Sequence, residues 1–378
     1  MKNIVIDARL YGPKHTGLGR YTKNLLLALK NLPDFKKYKF TLLVYPELLG
    51  EISRELKDSY QYVPTPLRHY SLAEQIFLPT LISKLKPNLV HFTHLDKPIF
   101  YFAPSIVTVH DLIRHFSRGS DTTTKSPLLY WPKYWAYLLM TRIIFSTSHL
   151  IVPSHFWRDY IIKKYQFPSQ KIITTYEAVD PVFLSKANLI EDCKLKIENR
   201  RLKIEDYLLY TGNLYPHKNI EVLLKALKKL PDLRLKIICA RSLFSEKIEK
   251  QISRLGIKKQ VEFLGYVPDN KFSDLYQKAL ALVHPSFLEG FSLTGLEAMA
   301  LNCPVIAANS SCLPEIYQDS VLYFDPKNPV DLVKQIKLLQ HSPNLRQKLI
   351  TLGKKQVAKY SWSKTAKQTL DFYQKIIN

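Results

Sequence analysis

Along this 378-residue chain, short apolar runs alternate with longer stretches whose apolar residues recur every three to four positions. In the first half, runs at 3–7, 40–45, 89–92, 106–110, 150–153 and 172–176 predict strands. Amphipathic stretches at 22–32, 72–84, 128–145 and 156–165 predict helices. A Lys-rich stretch at 185–206 precedes a second series. There the pattern predicts strands at 207–211, 235–240, 261–264, 280–284, 304–307 and 321–324. Helices are predicted at 220–230, 245–255, 271–278 and 292–301, followed by two more and a last amphipathic stretch at 365–377. Strand–helix alternation builds βαβ units, hence parallel sheets with helices on both faces. The expectation is an α/β chain of two consecutive doubly wound domains, 1–180 and 181–360. Ligands of such folds sit beyond the carboxyl ends of the strands, so a cleft between facing domains is expected to hold the site.

Composition narrows the class. Hydrophobic residues make up 46% and charged residues 23%, as in a globular protein. No apolar run reaches the roughly 20 residues that span a bilayer. The chain opens directly on a strand, with no secretory leader expected. Four cysteines (Cys193, Cys239, Cys303, Cys312) show no CxxC spacing, which fits a reduced, cytoplasmic setting, and Cys303 and Cys312 read as core packing. The net charge of +23 attracts nucleic acid, anionic lipid or phosphorylated ligands. Its lysines and arginines are spread along the chain, and no nucleic-acid motif accompanies them, so a nucleic-acid partner is not expected. Residues 130–145 mix aromatic, aliphatic and basic side chains; they read either as an interfacial segment on a membrane surface or as a buried helix.

The richest chemistry lies in 284–300, where Glu289 and Glu297 flank a turn that opens a helix. Amides of Gly290, Phe291, Ser292, Leu293 and Thr294 lie between them, and helix N-termini favour anions. Anion-binding amides beside two carboxylate acceptors suit a molecule carrying both phosphate and sugar. Thr294 to Glu297 also fits a capping box, in which Glu297 only satisfies a helix-start amide. Gly212-Asn213-Leu214-Tyr215-Pro216-His217-Lys218-Asn219 leads from a strand into a helix that Asn219 can cap. A lysine at a helix start is disfavoured by about 0.3–1 kcal/mol unless an anion is bound there. Lys218, with His217, therefore reads as a phosphate site or as a solvated side chain that bends away. Gly17-Leu18-Gly19 follows the first strand as a phosphate-approaching turn or as a tight connection. His110 ends an apolar strand where a ligand cleft should open, or is a hydrogen-bonded, inert histidine. His91 and His94 point to opposite faces of an extended chain, and no metal constellation is read.

These motifs together resemble glycosyltransferase family 4, group 1, the retaining sugar-nucleotide transferases of the GT-B fold: two Rossmann-like domains facing across a cleft. The likeness is carried by Gly17-Leu-Gly-Arg-Tyr21, Thr108-Val-His-Asp-Leu112, Val152-Pro-Ser-His-Phe156, Gly212 to Asn219, Phe263-Leu-Gly-Tyr-Val267, the pair Glu289 and Glu297, and Leu313-Pro-Glu315, in the family's order. The resemblance implies that Glu289 holds donor-sugar hydroxyls and Glu297 the nucleotide ribose. It implies that Lys218 neutralises the donor diphosphate with amides of 291–294, that Gly17 and Gly19 let a loop close over it, and that His110 faces the sugar near the reacting carbon. It also implies that residues 361–378 return to the first domain and that no metal or other cofactor is required.

Asn213 and His217 stand where the family often has arginine, leaving most of the diphosphate charge to Lys218, and Ser292 replaces a common glycine. The motifs resemble mannosyltransferase members, so the expected activity is hexosyl transfer from GDP-mannose to a glycan or lipid-linked glycan. The acceptor side would rest peripherally on an anionic inner membrane face. The competing readings are a UDP-hexose or UDP-N-acetylhexosamine donor, a GT-B sugar-nucleotide epimerase, and a basic nucleic-acid-binding protein.

Overall fold

The computed structural model describes residues 1–119, 127–185, 205–239 and 244–378. The chain divides into two compact units: 1–112 with 131–177 and 361–378, and 113–130 with 178–360. The described residues of 113–130 thus group with the second unit, although the sequence puts them in the first.

The first unit is built on seven parallel strands: β1 (Lys2–Asp7), β2 (Tyr38–Val44), β3 (Gln61–Pro64), β4 (Leu89–Phe92), β5 (Ser105–Thr108), β6 (His149–Val152) and β7 (Ile172–Thr174). They lie in the order β3-β2-β1-β4-β5-β6-β7. Ile4 of β1 pairs with Phe40 on one side and Leu89 on the other, and Ile4 to Ile6 are fully buried. A central strand covered on both faces must be apolar without alternation, which is how β1 reads in the sequence. The helices are α1 (Thr16–Leu29), α2 (Leu49–Leu56), α3 (Leu72–Lys84), α4 (Pro127–Ser146) and α5 (His155–Tyr165). The C-terminal helix, Trp362–Ile377, packs against α1 and β4 and is started by Ser361, whose hydroxyl accepts from Lys364 N (3.3 Å). Tyr373 of this helix meets His91 Nδ1 at 2.5 Å.

In the first unit, β3 and α2 escape the sequence pattern. β3 is a four-residue edge strand ending in Pro64, and an edge tolerates a proline and a mixed pattern because one side needs no ladder bonds. α2 buries only Ile52 and Leu56, too few for its period to stand out.

The second unit repeats the plan with six parallel strands: β8 (Tyr207–Thr211), β9 (Arg234–Ile238), β10 (Val261–Phe263), β11 (Ala281–His284), β12 (Val305–Ala308) and β13 (Leu322–Phe324). Their order is β10-β9-β8-β11-β12-β13. Helices α6 (Ile220–Leu227), α7 (Ser245–Leu255), α8 (Asp269–Lys278), α9 (Leu293–Ala300), α10 (Leu313–Tyr317), α11 (Pro329–Gln340) and α12 (Pro343–Val357) complete it. The strand order reverses between β1 and β4 in the first unit and between β8 and β11 in the second. At such a point neighbouring loops diverge and leave a crevice at the carboxyl ends of the strands. The two-domain parallel α/β plan read from the sequence is the one the chain adopts.

Candidate functional site

The switch point of the second unit brings together the loops that leave β8 and β11. After Thr211 the backbone turns at Gly212, whose φ of 145° a side chain would strain, and Gly212 N donates to Ile238 O (3.1 Å). A single 3-10 turn, Pro216–Lys218, precedes α6. Asn219 does not cap that helix. Its backbone is left-handed (φ 53°), and its Nδ2 instead donates to Pro285 O (3.0 Å) and Pro326 O (2.8 Å), tying the β8 loop to the loops after β11 and β13. Phe287 N donates to His217 O (2.8 Å) across the same junction.

That stitching places Lys218 on Glu289. The Lys218 ammonium donates to both carboxylate oxygens at 2.8 Å, and His284 Nε2 meets Oε1 at 2.8 Å. Ser311 Oγ accepts from Glu289 N (3.2 Å). Burial alone would push the Glu289 carboxyl up; the Lys218 charge and the His284 bond outweigh it and hold the group well below the usual carboxylate range. Glu289 is therefore a permanent anion, an acceptor only.

Behind it sits a residue that the sequence does not announce. The buried Tyr317 hydroxyl contacts His284 Nδ1 (3.0 Å) and Ser292 Oγ (2.6 Å), and it accepts from Gly295 N (3.1 Å). His284 thus spans the two, with Nε2 on the carboxylate and Nδ1 facing these hydroxyls. Gly295 is required here, since a Cβ would lie 2.2 Å from the Tyr317 oxygen. His284 ends an apolar strand and Tyr317 lies in a short helix, so nothing in spacing alone marks them; only adjacency to Glu289 does.

Ser292 takes the cap position of α9 with φ 84°, and its hydroxyl turns inward to Tyr317 and His284, so Ser292 itself caps none of the helix amides. The helix starts at Leu293, one residue later than expected. Thr294 lies inside its first turn, so the Thr294–Glu297 capping box does not form. Gly290 is half-buried, Phe291 is buried edge-on to Tyr360 (5.5 Å), and Glu297 sits half-buried one turn into α9.

His217 does not serve as a second cation. Burial first, and the neighbouring Lys218 charge second, pull its pKa down to about 4, so the ring is neutral at physiological pH. It stacks against Tyr215 (5.8 Å, 24°).

In the first unit, Gly17 and Gly19 are not in a loop; both lie in the first turn of α1. Gly19 is needed for packing, because a Cβ there would meet Gly12 O at 2.0 Å, whereas one at Gly17 meets nothing within 4 Å. His110 follows β5 with both ring nitrogens facing acceptors: Nδ1 to Glu177 Oε1 (3.1 Å) and Nε2 to Thr93 O (2.9 Å). Burial disfavours the charged ring, but the Glu177 hydrogen bond and charge, the Thr93 carbonyl and Asp111 raise its pKa above the ordinary value. Tyr21 meets the ring edge-on at 4.6 Å. His91 is used within the core, its Nε2 on Thr108 Oγ1 at 2.8 Å, while His94 gathers with His69 and Asp96, a grouping that the sequence reading did not see. Cys239, Cys303 and Cys312 are buried, the last two as free thiols.

Comparison with known proteins agrees with the two-unit plan. The family model described as "Glycosyltransferase Family 4" matches residues 15–183, and the one described as "Glycosyl transferases group 1" matches residues 194–356. The chain is 27% identical over 355 residues to the O-antigen chain mannosyltransferase RfbU of Salmonella typhimurium strain LT2, covering 90% of this chain and 92% of that one. It is 29% identical over 369 residues to the O-antigen chain mannosyltransferase B of Escherichia coli, covering 95% and 96%. WaaG, a glycosyltransferase involved in lipopolysaccharide biosynthesis, superposes with a TM-score of 0.70 at 14% identity, covering 98% of this chain and 99% of that one.

Proposed function

This chain belongs to the group 1, family 4 glycosyltransferases of the GT-B fold, and we propose that it transfers mannose, with retention of anomeric configuration, from GDP-mannose to a glycan or lipid-linked glycan. The mannosyl donor is supported by the two O-antigen mannosyltransferases that match at least nine tenths of the chain. The observation that carries the site reading is the Lys218–Glu289 pair at the carboxyl ends of β8 and β11, the crevice where open α/β sheets bind ligands.

In this reading, breaking the anomeric C–O bond leaves negative charge on the departing diphosphate. Fixed donors aimed at that charge lower the barrier, and Lys218 is the cation of the group, with amides of Phe291 to Thr294 beside it. Glu289, ionised at any working pH, accepts from sugar hydroxyls and holds the ammonium in place. Glu297 receives the ribose hydroxyls. Gly212 and Gly290 let the backbone approach the donor, and His217 contributes a neutral ring to the pocket wall. His110, with both nitrogens engaged by Glu177 and Thr93, is suited to a charged role toward the sugar and not to hydrogen bonding or proton abstraction. Gly17 and Gly19 lie in the first turn of α1 and not in a loop free to close over the diphosphate. Departure and attack on one face of the sugar, by way of a short-lived ion pair, is the working route.

A lipid-linked acceptor fits the surface of the first unit. Trp131, Trp135 and Leu139 recur every four positions on α4 and are exposed, 64% for Trp135, as are Leu72, Ile76 and Phe77 on α3. Among the described residues no helix is long and apolar enough to cross a membrane. An exposed aromatic face on a chain of charge +23 supports resting on an anionic bilayer.

The test is incubation of the full chain with GDP-mannose, UDP-glucose or UDP-N-acetylglucosamine, with and without a lipid-linked acceptor. Acceptor-dependent use of GDP-mannose with an α-linked product by proton NMR supports the reading. Preference for a UDP-sugar replaces the donor, a β-linked product removes retention, and an altered sugar from donor alone makes the protein an epimerase.

A further inference from the structure

The transfer reading leaves unused a buried cluster at the switch point of the first unit. His94 and Asp96 follow β4 two positions apart in a bend of the backbone, which Asp96 N tightens by donating to His94 O (2.9 Å). His69 joins them from the segment after β3. One ligand atom from each of the three lies within 4.8 Å of those of the other two. His69 Nε2, His94 Nε2 and Asp96 Oδ1 are all buried and have no hydrogen-bond partner. Buried polar atoms are nearly always paired, so three residues gathered this closely, each with a buried unpaired atom, call for a common partner.

The chemistry around them selects the partner. Asp7, Glu74 and Asp96 are buried carboxylates against a single buried guanidinium, Arg9. Arg9 pairs directly with Asp7 (2.6 Å) and Glu74 (2.6 Å), while Asp96 adjoins Glu74 and feels the guanidinium only at a distance. Asp7 Oδ2 lies 3.7 Å from His69 Nε2, too far to satisfy it by a hydrogen bond. The ligands are also held from behind: Tyr45 Oη is 2.6 Å from His69 Nδ1, and Asp96 Oδ2 accepts from Tyr70 N (3.0 Å). A hydrogen-bonded Nδ1 fixes the ring with Nε2 forward, the usual back-support of a metal-bound histidine.

We propose that His69, His94 and Asp96 bind a divalent transition-metal ion of zinc-like preference. Two imidazole nitrogens and one carboxylate oxygen form a three-ligand set with a fourth position open, whereas magnesium and calcium call for an all-oxygen shell. The ion clamps the segments after β3 and β4. It also steadies Thr93, whose carbonyl holds His110 Nε2 at 2.9 Å, so it supports the first unit without entering the transfer chemistry.

The experiment is titration of the metal-stripped full chain with cobalt(II) and then zinc(II). The expected result is one equivalent of cobalt giving the visible bands of a tetrahedral N/O site, displaced by zinc, with a melting point that rises with zinc concentration. His69→Ala, His94→Ala and Asp96→Asn lose the visible bands, and Tyr45→Phe keeps them with affinity about 10- to 100-fold weaker. Circular dichroism identifies the folded variants. Absence of tetrahedral cobalt bands in the wild type overturns the proposal whatever the variants do, as do undiminished bands in folded Asp96→Asn.

Discussion

Lys218 and Glu289 hold each other at 2.8 Å although 71 residues separate them in the chain. They meet because β8 and β11 are neighbours at a strand-order reversal and their loops leave the same edge of the sheet. The pair keeps a cation in a largely buried place where an isolated ammonium would be costly. In the proposed reading, a donor diphosphate entering there finds the charge already positioned.

Lys218→Ala is expected to lower kcat by about 100- to 1,000-fold, the cost of removing one fixed donor from a developing anion. Lys225→Ala, an exposed change on α6, should leave kcat within a factor of two or so, as surface substitutions away from special features do. Steady-state kinetics on both variants, with melting points to confirm folding, decide this. Equal rates for the two would remove Lys218 from catalysis.

Glu289 should shape the acid limb of stability. Its folded pKa is depressed, so its contribution is present above the ordinary carboxylate value of about 4.3 and is lost as pH falls from there through the folded pKa. In Glu289→Gln that part of the acid limb flattens. Stability near neutrality also falls, by about 3 kcal/mol, because Lys218 loses its partner; this is the low end for a broken buried pair, since Lys218 remains 20% exposed. Urea denaturation between pH 3 and 7 measures both; an unchanged acid limb would contradict the ion pair.

His110 is expected to titrate above the ordinary histidine value of about 6.5, and Glu177→Gln to lower its pKa. A raised folded pKa gives stability that is fully present below the unfolded value and lost as pH rises through the folded one. Proton NMR of the histidine ring signals follows it. Titration at or below the ordinary value in the wild type would mean that burial outweighs Glu177.

The two glycines of α1 should behave oppositely. Gly17→Ala has open space and is expected to raise stability by up to about 0.5–1 kcal/mol, the usual gain over glycine in a helix. Gly19→Ala drives a methyl into the Gly12 carbonyl and should cost about 1–3 kcal/mol or more. Thermal melts of the two compare them directly, and equal effects would refute the close approach at Gly19.

Much of this was legible along the chain. Buried parallel strands read as continuous apolar runs, and β1, β4, β8 and β11 were found within two residues of their ends because a strand covered on both faces tolerates little else. Loop chemistry was legible in kind but not in partnership. Asn219 looks like a helix cap and is instead a tie between loops, since its left-handed backbone aims the side chain away from the helix. Gly17 and Gly19 look like a loop because glycine is a poor helix former, and only the 2.0 Å approach of Gly12 O explains Gly19.

The sequence by itself determined the alternation of strands and helices, the two sheets and the residue types that suit a phosphorylated sugar, since these depend on local periodicity and side-chain chemistry. Tertiary structure alone decided that Lys218 neutralises Glu289, that His217 is neutral, that Tyr317 backs His284, and that His69 joins His94 and Asp96. Those facts depend on which loops leave adjacent strands and on how deeply each group is withdrawn from water, and a linear pattern carries neither.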